Sequence, residues 1–286
     1  MAPRRMLIAG GGAAGLFAAI ACAEAAPEAR VSVCEATGRL LAKVRISGGG
    51  RCNVTTGCSD PRRLVENYPR GARELLGPLT RFGPRETAAW FESRGVRLKT
   101  EPDGRVFPVT DSSETVIGCL MRAAAAAGVD IRTGCAVRAA RRSATGGFEA
   151  TLGDGCEMTA GRLLLATGGT KGSAGAAIAE ALGHATEPPV PSLFSFHVSD
   201  PRLAGLAGVS VPEAETEVSG SRLRTRGPIL ITHAGLSGPA ILRLSAWGAR
   251  ELHARDYRFA LRVNWAAPLD RARARGRLAA ERAAHP

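Results

Sequence analysis

Blocks of apolar residues separated by glycine-rich or polar turns predict a strand, a helix and a second strand within residues 5–55. Met6–Ala9 is an apolar run of strand length, and the alanine-rich stretch that follows it continues at helical length to about Ala26. Val31–Cys34 is the second strand, and Gly10–Gly15 forms the turn between the first strand and the helix. A strand–helix–strand order predicts two parallel strands with the helix packed against them.

The pattern of residues 56–190 continues to alternate between helices and strands. Capping-box spacing from Asp111 to Glu114 predicts the start of one helix, and Gly95 and Gly128 are placed to end two helices. The predicted helices cover residues 63–68, 85–94, 115–127 and 172–183. The predicted strands cover residues 96–99, 105–108, 129–132, 136–141, 148–152 and 162–166. We expect the last of these strands to be buried because it is almost wholly apolar.

Three prolines, Pro188, Pro189 and Pro191, mark a shift in composition and predict a domain boundary. We therefore expect a first domain at residues 1–190 and a β-rich second domain at residues 191–286. Short apolar runs in the second domain predict strands at residues 193–198, 209–211 and 261–265. The basic, alanine-rich tail from Asp270 predicts either an exposed helix or disorder.

The charge balance is strongly basic but scattered along the chain. The 286 residues carry a net charge of +12, and only three of the 38 basic residues are lysines. An apolar fraction of 45% with 22% charged residues is ordinary for a globular protein. The one dense cluster of arginines lies at residues 271–277. A basic balance alone is only the first step of a nucleic-acid interpretation, so we expect no nucleic-acid partner.

Cysteine and histidine usage argues against disulfide and metal frameworks. The seven cysteines are an odd number without a C-x-x-C pair, and this predicts reduced thiols in a cytosol. The five histidines show no metal-ligand spacing, so we expect no metal. The stretch from Arg4 to Ala23 has some features of a secretory signal, but four glycines interrupt its apolar run. No stretch is long enough for a membrane helix, and we expect a cytoplasmic protein without a membrane partner.

The first turn carries a dinucleotide-binding pattern. Gly10, Gly12 and Gly15 fit G-x-G-x-x-G, and Glu35 follows the second strand, 20 residues beyond Gly15. The three glycines allow a tight turn, close approach to a pyrophosphate, and close helix–strand packing. A helix N-terminus binds phosphate, and the carboxylate accepts a hydrogen bond from a ribose hydroxyl. For Glu35 the alternative is a surface residue that ends a strand.

Several further motifs accompany this pattern: Gly38-Arg39, Lys43, Ile46–Asn53, Gly104–Pro108, Ala166–Gly169, Thr232-His233 and Gly235–Pro239. Together they resemble the aminoacetone-oxidase-like or 3-dehydro-bile-acid-reductase-like family of FAD-dependent oxidoreductases. The resemblance covers nearly the whole chain, and its most specific part is Ser47–Thr55. It implies an α/β fold with a Rossmann-like FAD-binding domain, made of a parallel sheet with helices and a β-meander. It also implies an inserted, partly β second domain that serves as substrate or cap domain.

The same resemblance implies a set of FAD-binding residues. These are Gly10, Gly12, Ala13, Ala14, Gly15, Glu35, Arg39, Lys43, Ser47, Gly48, Gly49, Gly50, Arg51, Cys52, Asn53, Val137, Ala166, Thr167 and Gly168. The first glycines would contact the pyrophosphate and Glu35 the adenosine ribose. Val137 would contact adenine, and Lys43 with the loop Ser47–Asn53 would lie along the ribityl chain and flavin ring.

Two features depart from the family pattern. Thr56 stands where members usually have asparagine, which is a mild difference. Members also continue into a closing segment with Gly-Glu and Gly-Gly-Tyr-Asn motifs, and residues 270–286 do not resemble it. We therefore expect a fragment or a naturally shortened member. The alternative to an active enzyme is a flavin-binding module that is catalytically incompetent or depends on a partner.

The expected activity is hydride transfer through FAD to or from a small organic substrate, at a carbon–carbon double bond or an amine. The sequence has no second G-x-G-x-x-G, so NAD(P)H as electron donor would use a less patterned surface. FAD-dependent modification of RNA is a further hypothesis, suggested by the basic balance.

Four side chains near these motifs leave two interpretations open. Arg51 either stabilises negative charge on reduced flavin or holds its own loop, and His233 either transfers a proton or only satisfies a turn. Cys52 is either a redox thiol or a small residue that lines the loop, and the absence of a neighbouring resolving cysteine favours the second. Arg105 either meets an anionic substrate or caps a turn.

Overall fold

The computed structural model describes residues 5–169 and 174–285, which form two compact units. The first unit ends at Glu187 and the second begins at Pro188. The proline-rich shift in composition predicts a boundary between residues 190 and 191, three residues further along the chain. Each unit has its own buried core.

The first unit alternates strands and helices. Its strands are β1 (Arg5–Ala9), β2 (Arg30–Cys34), β3 (Thr55–Thr56), β4 (Leu98–Thr100), β5 (Arg105–Pro108), β6 (Asp130–Arg132), β7 (Val137–Arg142), β8 (Phe148–Leu152), β9 (Glu157–Ala160) and β10 (Arg162–Leu165). Its helices are α1 (Ala13–Ala25), α2 (Ala42–Ile46), α3 (Pro61–Val65), α4 (Ala72–Arg81), α5 (Pro84–Glu92), α6 (Ser113–Ala126) and α7 (Ala174–Ala181). A 3₁₀ turn at Ser47–Gly50 follows α2 directly.

A four-stranded parallel sheet with the order β10-β1-β2-β6 forms the centre of the first unit. Successive side chains of a strand point to opposite faces of a sheet. Other elements of the unit pack against each of the two faces. Ile8 packs with Leu16 and Ile20 of α1 and with α6. Leu7 packs on the other side with Ile178 of α7 and with the antiparallel meander β7-β8-β9. The predicted α/β fold, with a parallel sheet, helices and a β-meander, is confirmed.

The second unit is built on a five-stranded antiparallel sheet with the order β11-β14-β13-β12-β15. The strands are β11 (Phe196–His197), β12 (Ser210–Val218), β13 (Arg224–Thr232), β14 (Gly235–Ser237) and β15 (Leu261–Asn264), and the helices are α8 (Pro239–Trp247), α9 (Ala249–Ala254) and α10 (Arg271–Ala284). Ile241 and Leu244 of α8 pack with Ile229 and Ile231 of β13, so the sheet and helix share one apolar core.

The prediction that the strand at residues 162–166 is buried is wrong. The strand forms as β10, but Leu164 is 41% exposed. Because β10 is at the edge of the parallel sheet, Leu163 and Leu165 pack with the meander core while Leu164 faces the other way.

Other predicted elements form with shifted ends, and some elements escaped prediction. Within the predicted strand at residues 193–198 only Phe196 and His197 are in a strand. Helix α7 begins at Ala174 in the structure, while the predicted residues 172 and 173 lie outside the described residues. The patterns did not predict β3, β9, β13, β14, α2, α4, α8 or α9, and they predicted only the start of β12. The tail forms helix α10, one of the two predicted alternatives.

Residues 5–25, which overlap the signal-like stretch, form β1 and α1 within the sheet core, while Arg4 lies outside the described residues. Within residues 5–169 and 174–285, no helix combines the length and apolar character needed to cross a bilayer.

Candidate functional site

The candidate site lies at the carboxyl edge of the parallel sheet, where open α/β sheets bind ligands. Gly10 follows β1, Glu35 follows β2 and Ala166 follows β10. Backbone hydrogen bonds join these ends: the Gly10 N–H donates to the Cys34 carbonyl at 2.8 Å, and the Ala166 N–H donates to the Ala9 carbonyl at 2.8 Å. The residues of the first motif are therefore brought together by the sheet itself.

The three motif glycines meet different steric conditions. A Cβ on Gly10, whose φ is +114°, would lie 2.3 Å from the Ala166 carbonyl oxygen. A Cβ on Gly15 would lie 1.9 Å from the Gly10 carbonyl oxygen. Around Gly12, in contrast, a Cβ would meet nothing within 4 Å. Gly10 and Gly15 are thus required by the packing of the turn, while Gly12 borders open space in which a ligand can approach the backbone.

The start of α1 is left available for an anion. Gly12 is the N-cap residue, no side chain caps the helix, and the first turn contains no acidic residue. The first N–H groups of a helix have no partner within it and lie at its positive dipole end. Ala13 and Ala14 add only methyl groups there. This arrangement suits a phosphate group.

Glu35 holds the turn from the neighbouring strand. One carboxylate oxygen accepts a hydrogen bond from the Gly11 N–H at 2.8 Å, and the other accepts from the Thr37 N–H at 2.9 Å and the Thr37 hydroxyl at 2.8 Å. Partial burial raises the pKa of Glu35, but the hydrogen bonds from Thr37 and Gly11 outweigh it, so the net pKa is lowered. The group is therefore a carboxylate at neutral pH and can accept from a ligand hydroxyl.

The loop Ser47–Asn53 bends through successive left-handed positions. Gly48, Gly49 and Gly50 have φ values of 57°, 70° and 85°. A Cβ on Gly48 would lie 2.9 Å from the Asn53 nitrogen, whereas a Cβ on Gly49 or Gly50 would meet nothing within 4 Å. Gly48 closes the loop on itself, and the other two present bare backbone outward. The Ser47 hydroxyl donates to the Val44 carbonyl at 2.8 Å and so ties the loop to α2.

Lys43 connects this loop region with the end of β10. A Cβ on Gly168 would lie 3.5 Å from the Lys43 Nζ atom, so the ammonium group lies close to the Ala166–Gly168 turn. The structure therefore brings Lys43 and Gly168 together although 125 positions separate them in the sequence. A cation at this place can attract an anionic group of a ligand.

A cavity of about 580 Å³ opens between the start of α1 and this loop. Ala13, Ala14, Lys43, Ser47, Cys52 and Asn53 line it. Its remaining walls are mainly apolar and come from distant parts of the unit: Phe17, Val44, Val54, Phe82, Phe91, Val116 and Leu120. The volume and the mixture of apolar walls with a few polar groups are typical of a small-molecule or cofactor site.

Arg51 is held by neighbouring side chains. Its Nη1 atom lies 2.6 Å from Glu101 Oε1 and 3.4 Å from Asp111 Oδ1. Its guanidinium carbon lies 4.0 Å from the centre of the Phe107 ring. The hydrogen bond to Glu101 is the largest cause that raises the pKa of Arg51. These contacts fit an arginine that holds its own loop against β5.

Cys52 is a buried residue of the loop. Its side chain is 7% exposed, and its φ of 62° is in the left-handed region that few residues other than glycine adopt. Burial raises the pKa of the Cys52 thiol, and a hydrogen bond with Ser47 opposes this more weakly. A raised pKa keeps the sulfur as a thiol at neutral pH, which favours a packing role over a redox role.

The remaining predicted residues are dispersed. Val137 is buried at the start of β7, Arg39 is exposed, and Asn53 accepts a hydrogen bond from the Val106 N–H at 3.3 Å. His233 belongs to the second unit, where it is exposed in the two-residue turn between β13 and β14. Arg105 contacts Asp103 at 2.7 Å and Glu101 at 3.3 Å, which fits its turn-capping interpretation.

Some residues of the site were missed by sequence reasoning. Gly11 belongs to it because a Cβ there would lie 2.3 Å from Leu40 Cδ2 and 3.0 Å from Glu35 Cβ. The run of three consecutive glycines in the sequence is the feature that indicates Gly11. Nothing in the sequence pattern indicated Glu101 or the aromatic cavity walls. Within the described parts of the chain, no group of three or more His, Cys, Asp or Glu side chains is placed to hold a metal ion.

Comparison with known proteins gives a consistent family match. Residues 4–238 match the family described as HI0933-like protein Rossmann domain. A 3-dehydro-bile acid delta(4,6)-reductase from Clostridium scindens is 32% identical over 257 residues, which are 87% of this chain and 61% of that protein. A ribosomal RNA dihydrouridine synthase from Escherichia coli is 30% identical over 253 residues, which are 84% of this chain and 60% of that protein.

The chain spans about 60% of the length of these curated relatives. Among solved structures, a 3-ketosteroid-delta4-(5alpha)-dehydrogenase from Rhodococcus jostii RHA1 is similar over 58% of this chain and 48% of that chain, with 18% identity and a TM-score of 0.42.

Proposed function

The chain belongs to the HI0933-like Rossmann-domain family, and from that premise we propose that it is an FAD-dependent oxidoreductase. The proposed reaction moves hydride between bound FAD and a small organic substrate. The observation that carries the proposal is the open backbone at Gly12, at the uncapped start of α1, beside the Glu35 carboxylate. The resemblance seen in the sequence motifs and the family match agree with it.

The chain's own residues fit the parts of FAD. The free space at Gly12 and the start of α1 suit the pyrophosphate, and Glu35 suits a ribose hydroxyl. The cavity of about 580 Å³ beyond them has the size and apolar walls for a flavin ring. Gly49 and Gly50 let the loop backbone approach that ring without a side chain between them.

Bound FAD would supply the capacity to accept and donate hydride. The chain's residues would bind, orient and shield it. Phe17, Phe82 and Phe91 would exclude water from the cavity, and Lys43 would place a positive charge at its mouth. Through Glu101 and Phe107, Arg51 would keep the loop in its bent conformation.

Reduction of a carbon–carbon double bond is the reaction type that we favour over amine oxidation. The names of both relatives, a delta(4,6)-reductase and a dihydrouridine synthase, denote hydrogen added to a double bond. The two names differ in substrate, a bile acid derivative and a ribosomal RNA. We therefore propose the reaction type that the two names share, and no particular substrate, for this chain.

His233 is the proposed proton donor for this reaction, because an imidazole can pass a proton to a substrate. The exposure of its side chain in a tight turn is compatible with this role. Replacement by glutamine should lower kcat without changing FAD affinity. An unchanged kcat would assign His233 to the turn alone.

An anaerobic spectroscopic experiment tests the proposed function. The full chain should become yellow with added FAD, its flavin bands should bleach with NADH or NADPH, and an activated alkene should restore them. FAD uptake without reoxidation by any alkene would indicate a flavin-binding module without turnover. A protein that takes up no FAD would overturn the proposal.

A further inference from the structure

The first unit has another cavity, of about 410 Å³, at the amino ends of its parallel strands. Five of the lining residues are polar or charged and belong to β1, β2 and β6: Arg5, Arg30, Ser32, Asp130 and Arg132. Arg5 begins β1 and Gly10 follows it, so the two residues are about 16 Å apart along the strand direction. The cavity is therefore separate from the candidate flavin site, which lies at the opposite edge of the sheet.

The register of the sheet gathers these side chains on one face. Arg5 is the register partner of Arg30, Leu7 is the partner of Ser32, and Ser32 is in turn the partner of Asp130. Register partners in a parallel sheet share a face, and so do every second residues along a strand. Because Leu7 packs with the meander core, the polar residues lie on the meander side of the sheet. There β9 closes the cavity.

Asp130 already has its own cation. Its Oδ2 atom accepts a hydrogen bond from Arg132 Nε at 3.0 Å and another from the Ser32 hydroxyl at 3.1 Å. The negative charge among the lining residues that the structure describes is therefore compensated within β6 itself.

Arg5 and Arg30 have no such partner. Within residues 5–169 and 174–285, no carboxylate oxygen lies within 4 Å of either guanidinium group. Like charges on directly opposite residues of neighbouring strands destabilise a sheet. Three guanidinium groups and one carboxylate leave a net charge of +2 around the cavity. A bound dianion would neutralise this charge and remove the repulsion between Arg5 and Arg30.

Other arginines of the same unit do have partners. Arg141 on β7 forms an ion pair with Glu149 of β8, and Arg94 lies 2.6 Å from Glu24. The unpaired positive charge of Arg5 and Arg30 is therefore a local feature of this cavity and does not simply reflect the arginine-rich composition.

We propose that this cavity binds a small phosphomonoester, with the phosphate between Arg5 and Arg30. The planar fork of a guanidinium group matches the geometry of phosphate oxygens. A phosphomonoester carries about −1.5 to −2 charges at neutral pH, which balances the net charge of the cavity, whereas a single carboxylate balances only half of it. Leu7, Met158 and Ala160 give the cavity apolar walls for the organic part of the ligand. The volume lies in the range of small-molecule sites.

Titration of the full chain with phenyl phosphate, followed by saturation-transfer NMR, tests the proposal. Benzoate is the comparison ligand, because it has the same ring and a single negative charge. The chain is saturated with FAD beforehand, so that phenyl phosphate cannot enter the proposed pyrophosphate site at Gly12.

The test variant is R5Q/R30Q. The matched control, R63Q/R73Q, removes the same charge from exposed positions of α3 and α4 in the same unit, outside the cavity. Arg5 and Arg30 are also exposed, and their replacement removes a pair of like charges, so R5Q/R30Q should stay folded with unchanged circular dichroism. D130N is a second variant of the cavity, and its asparagine oxygen can still accept the hydrogen bond from Ser32.

The two cavity variants should change the affinity for phenyl phosphate in opposite directions. R5Q/R30Q should weaken binding about tenfold, that is about threefold for each lost guanidinium contact. D130N should strengthen binding about threefold, because it removes a negative charge and frees Arg132 from its ion pair. R63Q/R73Q should keep the affinity of the parent chain, and benzoate should bind every chain more weakly than phenyl phosphate. A merely structural role of these residues would not produce opposite shifts.

Three results would overturn the proposal. These are equal losses in the two arginine pairs, benzoate binding as tight as that of phenyl phosphate, and phenyl phosphate binding that disappears when FAD is added. FAD uptake by R5Q/R30Q, followed by absorbance, should equal that of the parent chain. If the parent chain takes up no FAD, the proposed function fails, while the comparison of the two arginine pairs still tests this cavity.

Discussion

The Glu35 carboxylate accepts a hydrogen bond from the Gly11 backbone N–H at 2.8 Å, across the two neighbouring strand ends. The residue expected to contact a ribose is thus also a structural part of the glycine turn. Its second oxygen is engaged by Thr37. The turn and the carboxylate form one preorganised group, so a ligand that binds both does not have to order them first.

Glu35 should make folding stability depend on pH in the acid range. Because its folded pKa is lowered from 4.5, its contribution is fully present above that value and is lost as pH falls through the folded pKa. In urea unfolding between neutral pH and about pH 3, E35Q should lose less stability than the parent chain. E28Q, at an exposed position, is the control. Identical pH dependence of E35Q and the parent chain would contradict this role.

Gly12 and Gly15 should respond oppositely to the same added methyl group. At Gly15 the methyl would lie 1.9 Å from a carbonyl oxygen, so G15A should cost about 2 kcal/mol of unfolding free energy or more. At Gly12 there is open space and φ is −80°, so G12A should cost less than about 1 kcal/mol. G12A should nevertheless weaken FAD binding about tenfold or more, because the methyl stands where the pyrophosphate approaches. A folded G12A chain with unchanged FAD affinity would remove Gly12 from the site.

Arg51 should act through its loop. If Glu101 holds Arg51 in place, R51Q and E101Q should each weaken FAD affinity about two- to fivefold, and the double variant should be no worse than either. Both variants should leave the pH dependence of turnover unchanged. An R51Q variant that loses turnover at full FAD occupancy, while E101Q does not, would assign Arg51 a direct catalytic role.

Thiol labelling should follow burial and local charge. Burial, with the neighbouring Cys135 as a further cause, raises the pKa of Cys34 to about 12. Iodoacetamide at pH 8 should therefore modify exposed Cys156 well before Cys34, which should react only on unfolding. The charge of Asp154 raises the pKa of Cys156, so D154N should label faster at that cysteine. Peptide mass spectrometry measures both rates, and equal labelling of Cys34 and Cys156 in the native chain would contradict the structure.

Local sequence signals predicted the elements that carry the nucleotide motif. The β1–α1–β2 unit combines periodicity, a glycine turn and strand lengths within 30 residues. Helix α6 begins at Ser113, beside the predicted capping residues, but its N-cap is Ser112 and not Asp111. Helix α4 escaped prediction because it contains Gly77 and Pro78, which usually interrupt helices. Helix α8 escaped prediction because a Gly-Pro pair such as Gly238-Pro239 usually marks a turn, although proline is favourable at the first helical position.

The candidate site was predictable only where its residues are close in sequence. The glycines and Glu35 fall in one motif, but the cavity walls come from distant positions: Phe17 lies in α1, Phe91 lies in α5, and Phe82 directly follows α4. The periodicity of apolar residues does not indicate which apolar faces will enclose a cavity when the elements pack together. The contact of Arg51 with Glu101 likewise depends on how β4 and β5 pair.

Titration of the ligand-free chain with FAD and with FMN tests the central claim most directly. FMN has the flavin and ribityl phosphate but lacks the adenosine half that Glu35 and Gly10–Gly15 are proposed to hold. The account predicts one FAD per chain, much weaker FMN binding, and a loss of about ten- to hundredfold in FAD affinity for E35Q with FMN unaffected. Equal affinity for FAD and FMN, or no binding of either, would contradict it.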